Sequence, residues 1–305
     1  RAREARGSDV AFRAVDIMTK NKARGSQSRP SPSRASQPRA PRVVTSLTNE
    51  RVKAIRALDM RKERRDTGLF LAEGTSILET ARAAGFVPQT LVYQAGSASS
   101  LVARLLITWA LEAGGDVLEV SQAVLSKLSA KDNPQSMIGV FQQKWVALPE
   151  RPARDDTWLA LEEIRDPGNL GTIIRTADAV GAKGIILIGN TCDPYSREAV
   201  RATMGSVFDM PLAKVSREDF LAWRASWPGD VVGLHLDARD DFRHAAYKDP
   251  VLLMMGSEGP GLSDSLARTC SRLVKIPMAG KLDSLNLAVA TALSLYQIRG
   301  DALSI

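Results

Sequence analysis

Three short segments bring polar side chains and glycines together where a β-strand gives way to a loop. The first is DPGNLGTIIRTADAVG, residues 166–181. Pro167 and Gly168 turn the chain, and Asn169 can cap the helix that follows. Leu170, Ile173, Ile174, Ala177 and Val180 recur at helical spacing and form one apolar stripe. At about 100° per residue, Arg175 falls opposite the centre of that stripe and faces solvent or a partner. On this segment alone, Asn169 reads as a plain cap and Arg175 as an exposed helix arginine. The second segment is MMGSEGPGLS, residues 254–263. Gly256, at the carboxyl end of an apolar strand, permits close backbone approach to a ligand. Glu258, lodged between glycines, is suited to accept from a donor or to position a cation. It reads equally well as a solvated acid in a Gly-Pro turn. The third is KIPMAGKLDSLNLAVATALSLYQ, residues 275–297. Ser284 or Asp283 caps a long apolar helix, with Ser284 and Asn286 at its first turn. Free backbone N–H groups there favour electron-rich ligands. Leu287, Val289, Ala290, Leu293 and Tyr296 read as core.

Other chemistries lack their residues. No GxGxxG follows a strand and no GxxxxGK[ST] occurs, so the dinucleotide fingerprint and the P-loop are both missing. No GxSxG elbow is present. His235 and His244 are the only histidines, without a carboxylate pattern that suggests a metal site, and no metal is expected. His235, in VVGLHLD, reads as a strand-end residue. Cys192 and Cys270 are the only cysteines, without zinc spacing, which fits a reduced, cytoplasmic compartment.

The elements that must hold these segments alternate. From residue 157 onward, strands WLALEEI, GIILIG, PLAKV, VVGLHL, VLLMMG and RLVKIPM are separated by helices starting near Asn169, Ser196, Arg217, Ser263 and Ser284. Such alternation predicts a mostly parallel sheet covered on both faces. Ligands of such sheets bind at the strands' carboxyl ends, where all three segments lie. A smaller α/β unit is expected upstream. It opens with one helix over residues 47–66, in which Val52, Ile55 and Leu58 share a face. Strands FLAEG, TLVYQ, VLEV and MIGVFQQ follow, with helices between them, the first capped by Thr75. Residues 146–156 read as a polar, Pro-containing linker.

Charge divides the chain unevenly. Residues 1–42 hold eleven Lys or Arg against three acids, so a net charge of +7 becomes +8 in this segment and about −1 in the rest. A basic arm raises non-specific affinity for polyanions, and it reads equally as a solvated tail. Residues 21–42, rich in Ser, Pro, Arg and Gln, are expected to be disordered. Residues 1–17, ahead of Met18, are expected to be an upstream extension outside the fold. The N-terminus has no apolar secretory core, and no run of about eighteen apolar residues predicts a membrane span.

Taken together, NLGTIIRTADAVGAKGIIL, LLMMGSEGPGLS and IPMAGKLDSLNLAVATALSLYQ resemble the three motifs of the SpoU (TrmH) family of SPOUT RNA 2′-O-ribose methyltransferases. Their order and spacing match as well. Residues 68–143, with FLAEG near the start and NPQSMIGVF near the end, resemble a substrate-binding domain related to ribosomal protein L30e. The resemblance implies a knotted (trefoil) α/β methyltransferase domain at 157–305. It also implies an L30e-like α/β RNA-binding domain at 46–145; the linker 146–156 and a basic tail at 1–45, read from composition and charge, complete the division. Periodicity alone would predict an unknotted doubly wound sheet.

By the same resemblance, Asn169, Arg175, Glu258, Ser284 and Asn286 are the catalytic set. Gly256, Ile276 and Leu285 line the pocket for S-adenosylmethionine, mainly through backbone groups. A homodimer is implied, in which Arg175 closes a site against the second subunit. The expected reaction is methyl transfer to a ribose 2′-hydroxyl, with 23S ribosomal RNA favoured over transfer RNA as substrate. The rival from another class is an RNA-binding relative without chemistry. Family proposals make the first-motif arginine a general base. A guanidinium stays protonated in proteins, which favours Arg175 as a phosphate clamp and alkoxide stabiliser.

Overall fold

The computed structural model describes residues 40–129 and 135–303. Most of the expected basic tail, residues 1–39, lies outside the described residues, as do 130–134 and 304–305. The described residues form two sheets.

The first sheet is built from β1 (Arg42–Val44), α1 (Glu50–Ala57), α2 (Arg61–Thr67), β2 (Leu69–Glu73), α3 (Thr75–Ala83), β3 (Thr90–Gln94), α4 (Leu101–Glu112), β4 (Asp116–Val120), α5 (Gln122–Ser129) and β5 (Met137–Gln142). Its strand order is β1-β4-β3-β5-β2, with β5 antiparallel to both neighbours and the rest parallel. Three expectations change here. Residues 42–44 belong to this sheet as an edge strand rather than to the tail, because Val44 packs into the core beside β4. The single helix expected over 47–66 is two. The break exposes the carbonyls of Leu58 and Asp59, and the buried Arg64 guanidinium donates to both, at 2.8 and 2.9 Å. Val52, Ile55 and Leu58 are buried as their spacing predicts. Gly74, not Thr75, precedes α3, at φ 115°, a backbone conformation open to glycine but not to a β-branched residue.

The second sheet follows from β6 (Thr157–Glu162), α6 (Pro167–Ala179), β7 (Gly184–Ile188), α7 (Arg197–Ala202), β8 (Leu212–Val215), α8 (Arg217–Arg224), β9 (Val231–Leu234), β10 (Asp240–Asp241), β11 (Val251–Met255), α9 (Asp264–Ala267), β12 (Arg272–Lys275) and α10 (Leu287–Arg299). The order is β10-β12-β9-β11-β6-β7-β8 and every pairing is parallel. Both faces are covered, as a parallel sheet of continuous apolar strands requires. Leu159, Leu161 and Leu253 meet Leu170, Ile173 and Ile174 of α6 on one side. Trp158, Ala160 and Met254 meet Phe220 and Leu266 on the other. Gly171 lets α6 approach α7 closely, since a Cβ there would collide with the Ala199 carbonyl.

The two sheets share one core. Phe70 of β2 packs against Tyr195 with the rings tilted and centroids 4.7 Å apart, and Phe141 of β5 meets Phe208 at 5.0 Å. Polar ties flank the aromatics. Arg64 Nε donates to Asp193 Oδ2 at 2.7 Å, and Arg197 Nη2 to Asp59 Oδ1 at 2.6 Å. Arg61 Nη2 donates to the Thr191 carbonyl at 2.9 Å. No helix among the described residues is long and apolar enough to cross a membrane.

Candidate active site at the strand carboxyl ends

Because β6, β9, β11 and β12 are parallel and share one sheet, their carboxyl ends open on a common edge. The loop after β6 passes through Glu163, held at φ 49°, and buries Ile164. Asp166 then caps α6, its Oδ1 accepting from Asn169 N at 2.6 Å, with Pro167 at the first helical position. Asn169 is therefore not the cap that its sequence position suggests. It sits inside the first turn, because Asp166 takes the capping role, and its amide is free to reach outward.

That amide joins all three segments. Asn169 Nδ2 donates to Glu258 Oε1 at 3.0 Å, and Asn286 Nδ2 donates to Asn169 Oδ1 at 3.0 Å. Chemistry forces these orientations. Asn286 is the cap of α10, its Oδ1 accepting from Ala288 N and Val289 N at 2.9 and 3.3 Å, so only its NH₂ can face Asn169. Asn169 must then turn its own NH₂ to the carboxylate. Neither Ser284 nor Asp283 caps α10, since the helix starts beyond them at Leu287. Both lie in the preceding loop, and Ser284 is exposed.

Glu258 also accepts from the backbone N–H groups of Arg165 and Asp166, at 3.1 and 3.4 Å. Burial pushes its carboxyl up, but the Asn169 amide and these backbone donors together outweigh it and hold the group below the ordinary glutamate value. Glu258 is thus a fixed carboxylate and a poor proton acceptor at neutral pH.

Beside this relay lies a cavity of about 640 Å³ between the loops after β9, β11 and β12. Gly256, Ile276 and Leu285 line it, together with Glu258, Ser284 and Asn286. Gly256 works differently from the sequence expectation. The space its missing Cβ leaves is filled by the Gly261 carbonyl and the Leu262 nitrogen, where the loop folds back on itself. Ser257 N–H and Gly261 N–H donate to each other's carbonyls at 3.1 and 3.0 Å and close this turn. His235 and Asp237 form part of the wall. Asp237 N donates to His235 Nδ1 at 3.2 Å, so His235 serves as a strand-end residue.

Arg175 is not brought to the relay. It stands six residues, roughly 9 Å of helix rise, beyond Asn169. It is exposed, as the apolar stripe predicts, and it makes no hydrogen bond or ion pair among the described residues.

Sequence reasoning missed Glu162. This side chain is buried at the end of β6 and accepts from Ser263 N at 2.8 Å and Ser263 Oγ at 2.7 Å. Arg217 Nη2 pairs with it at 2.8 Å. Glu162 thereby fixes the far end of the loop that carries Glu258. Its signal in the sequence is a carboxylate closing an otherwise apolar strand. Cys192, near the relay, is pushed up to about 12 by burial first and then by Glu258, Asp166 and Asp193, so it stays a neutral thiol. Among the described residues, no group of three or more His, Cys, Asp or Glu could hold a metal ion.

An all-parallel sheet with a strand-end cavity and a polar relay from three loops defines an α/β protein with a ligand site at its strand ends, and comparison with known proteins narrows it. Residues 156–296 match the SpoU rRNA Methylase family, and residues 49–139 match the MRM3-like substrate binding domain. An AdoMet-bound rRNA methyltransferase from Sinorhizobium meliloti shares 47% identity over 86% of this chain and 99% of that one, with a TM-score of 0.80. The 23S rRNA (uridine(2479)-2′-O)-methyltransferase of Streptomyces viridochromogenes is 32% identical over 87% of this chain and 94% of its own length. The 23S rRNA (guanosine(2553)-2′-O)-methyltransferase of Bacillus subtilis is 29% identical over 84% of this chain and 99% of its own length. The chain belongs to the SpoU rRNA methylase family of RNA 2′-O-ribose methyltransferases.

Proposed function

We propose that this chain methylates a ribose 2′-hydroxyl of large-subunit ribosomal RNA, with S-adenosylmethionine as donor, at the edge shared by the cavity and the Glu258–Asn169–Asn286 relay. The carrying observation is that relay, which joins the three motifs through oriented amides at the cavity wall. The cavity fits the donor by size and by its mix of backbone and apolar walls, with Leu234, Ile276 and Leu285 among them. The donor, once bound, supplies an electrophilic methyl group for in-line displacement. The chain's residues position the attacking oxygen and stabilise its charge. Ser284, exposed at the mouth, donates to a ribose oxygen. Glu258 and Asn169 hold the loop that presents it. Arg175 stays cationic, clamps a phosphate and stabilises the negative charge that grows on the 2′-oxygen as its proton passes to solvent water.

A second copy of the chain completes this site. Val289, Leu293 and Tyr296, expected in the core, are 49%, 42% and 51% exposed and share one face of α10. Such a face is an interface signature. In the proposed homodimer, Arg175 of α6, the helix on which α10 packs, meets the partner's cavity; its exposure and its lack of a partner among the described residues support this reading. After β12 the chain packs α10 on α6 and β11, an arrangement compatible with the trefoil knot expected of the family.

The test is to incubate the protein with labelled S-adenosylmethionine and ribosomal RNA from cells lacking the gene, then map the product. One ribose should become resistant to alkaline cleavage at its 3′ phosphate. Label on a base, or no label, would contradict the proposal.

A further inference from the structure

A second cavity of about 640 Å³ lies between α2 and the loop after β7. Its most unusual occupant is Trp145, 40% exposed yet held in place. Trp145 Nε1 donates to Gln143 Oε1 at 3.1 Å, and Gln143 Nε2 in turn donates to the Arg64 and Leu69 carbonyls. The preceding residue, Lys144, is pinned twice. Its N–H donates to Tyr195 Oη at 3.1 Å, and Tyr195 Oη donates to its carbonyl at 2.6 Å. The Tyr195 ring stands perpendicular to the indole with centroids 5.2 Å apart. An indole fixed this firmly at the surface is a ready platform for a flat partner.

The cavity's charge is one-sided. Lys62 and Lys214 line it, are exposed and have no partner among the described residues. Arg65 meets only its neighbour Asp66 and remains 73% exposed. The lining carboxylate, Asp193, is already neutralised by the buried Arg64. One end of the cavity, at Cys192, lies beside the loop that leads to Asp166. Cys192 lines it, donates its N–H to the Ile164 carbonyl at 2.7 Å in the loop ahead of Asp166, and feels the charges of Glu258 and Asp166.

We propose that this groove binds unpaired RNA flanking the target nucleotide, with one base stacked on Trp145 and phosphates against Lys62, Arg65 and Lys214. The inference rests on the RNA methyltransferase reading above and adds a specificity surface to it. A fixed aromatic face accepts a base only when that base is unpaired, and free cations track the backbone around it. Because both sheets contribute walls and share one core, the groove is built before RNA arrives.

The experiment uses the full chain and a short fluorescein-labelled single-stranded oligoribonucleotide of mixed sequence. Trp145→Leu should weaken binding by about ten-fold, and Trp145→Phe should restore most of it, because only phenylalanine retains a stacking face. The double variant Lys62→Ala/Lys214→Ala lies on the surface and reads the proposal independently of tryptophan packing. It should lower the slope of log affinity against log salt by about 1.4. S-Adenosylmethionine affinity should stay unchanged in all three. Equal binding by the leucine and phenylalanine variants, an unchanged salt slope, or equal competition by duplex RNA or polyglutamate would overturn the groove. Methyl transfer by the wild-type protein, run in parallel, separates the two claims. Absent transfer defeats the methyltransferase reading whatever the groove does. Normal transfer with unaltered RNA binding by the variants defeats the groove alone.

Discussion

At the first turn of α6, Asn169 commits both halves of its amide, one to Glu258 and one to Asn286. Six residues further along the same helix, Arg175 has no partner at all among the described residues. The contrast extends outward from these two points. Around the first cavity, Glu258, Asn286 and Glu162 are satisfied by their own chain. Around the second, Lys62 and Lys214 are not. Polar groups that shape a small-molecule pocket must be fixed before the ligand arrives. Cations that meet a polyanion are best left free, because their counter-charge comes with the substrate. The two regions thus divide the proposed work, one shaping the donor pocket and the other receiving RNA.

Arg175→Ala should separate the two most sharply. Loss of a preorganised donor to developing charge should slow single-turnover methyl transfer by about 10²–10³. S-Adenosylmethionine affinity, measured by calorimetry, should stay within about two-fold of wild type, given that small binding effects lie near RT. Lost donor binding would move Arg175 to the satisfied side of the comparison. Arg175→Lys should retain some transfer, since charge survives while the bidentate geometry does not.

The next largest effect concerns the frame that holds both regions. Arg64→Ala would strand the largely buried Asp193 and free two carbonyls at the α1–α2 break. Unfolding in urea should show a loss of about 3 kcal/mol. An effect near zero would mean that the aromatic contacts and the remaining polar ties join the sheets without Arg64.

How far such claims could be read from sequence depended on the range of the interaction. The stripe Leu170, Ile173, Ile174, Ala177 and Val180 is a local pattern, and all five residues are fully buried. The parallel sheet likewise followed from alternating elements. Caps proved less legible, because several polar residues compete at each helix start. Asp166 took the role offered to Asn169, and Asn286 the one offered to Ser284 or Asp283. The winners were set by tertiary partners. Glu162 was hidden for the same reason, as its partner Ser263 lies 101 residues away. Arg64 terminating α1 could not be foreseen from a run of cations. For α10, apolar residues all round the helix gave no means of telling a core face from one left uncovered in the single chain.

Smaller effects sharpen the satisfied side. Asn286→Ala removes a double cap and should cost about 1 kcal/mol of stability in urea. It should also weaken S-adenosylmethionine binding, since the loop before α10 loses its anchor. Glu258 offers a pH test with a defined sign. Its folded-state value lies below the ordinary one, so its contribution is present above the unfolded value and is lost as pH falls through the folded value. The stability gap between wild type and Glu258→Gln should therefore shrink on acidification through and below the ordinary glutamate range. A gap that widens with acid would place Glu258 among unsatisfied groups.

The central claim is that the donor pocket comes from one subunit and the RNA-facing arginine from the other. Mixing two inactive variants tests it most directly. Arg175→Ala keeps an intact pocket, whereas Gly256→Val forces its loop apart, because a side chain there collides with Gly261 and Leu262. When the two are unfolded and refolded together, half of the dimers should be hybrids by random pairing, each with one complete site. Methyl transfer should return to about a quarter of the wild-type level. No recovery from folded hybrid dimers, with both parents inactive alone, would mean that Arg175 serves the site of its own chain and would contradict the account.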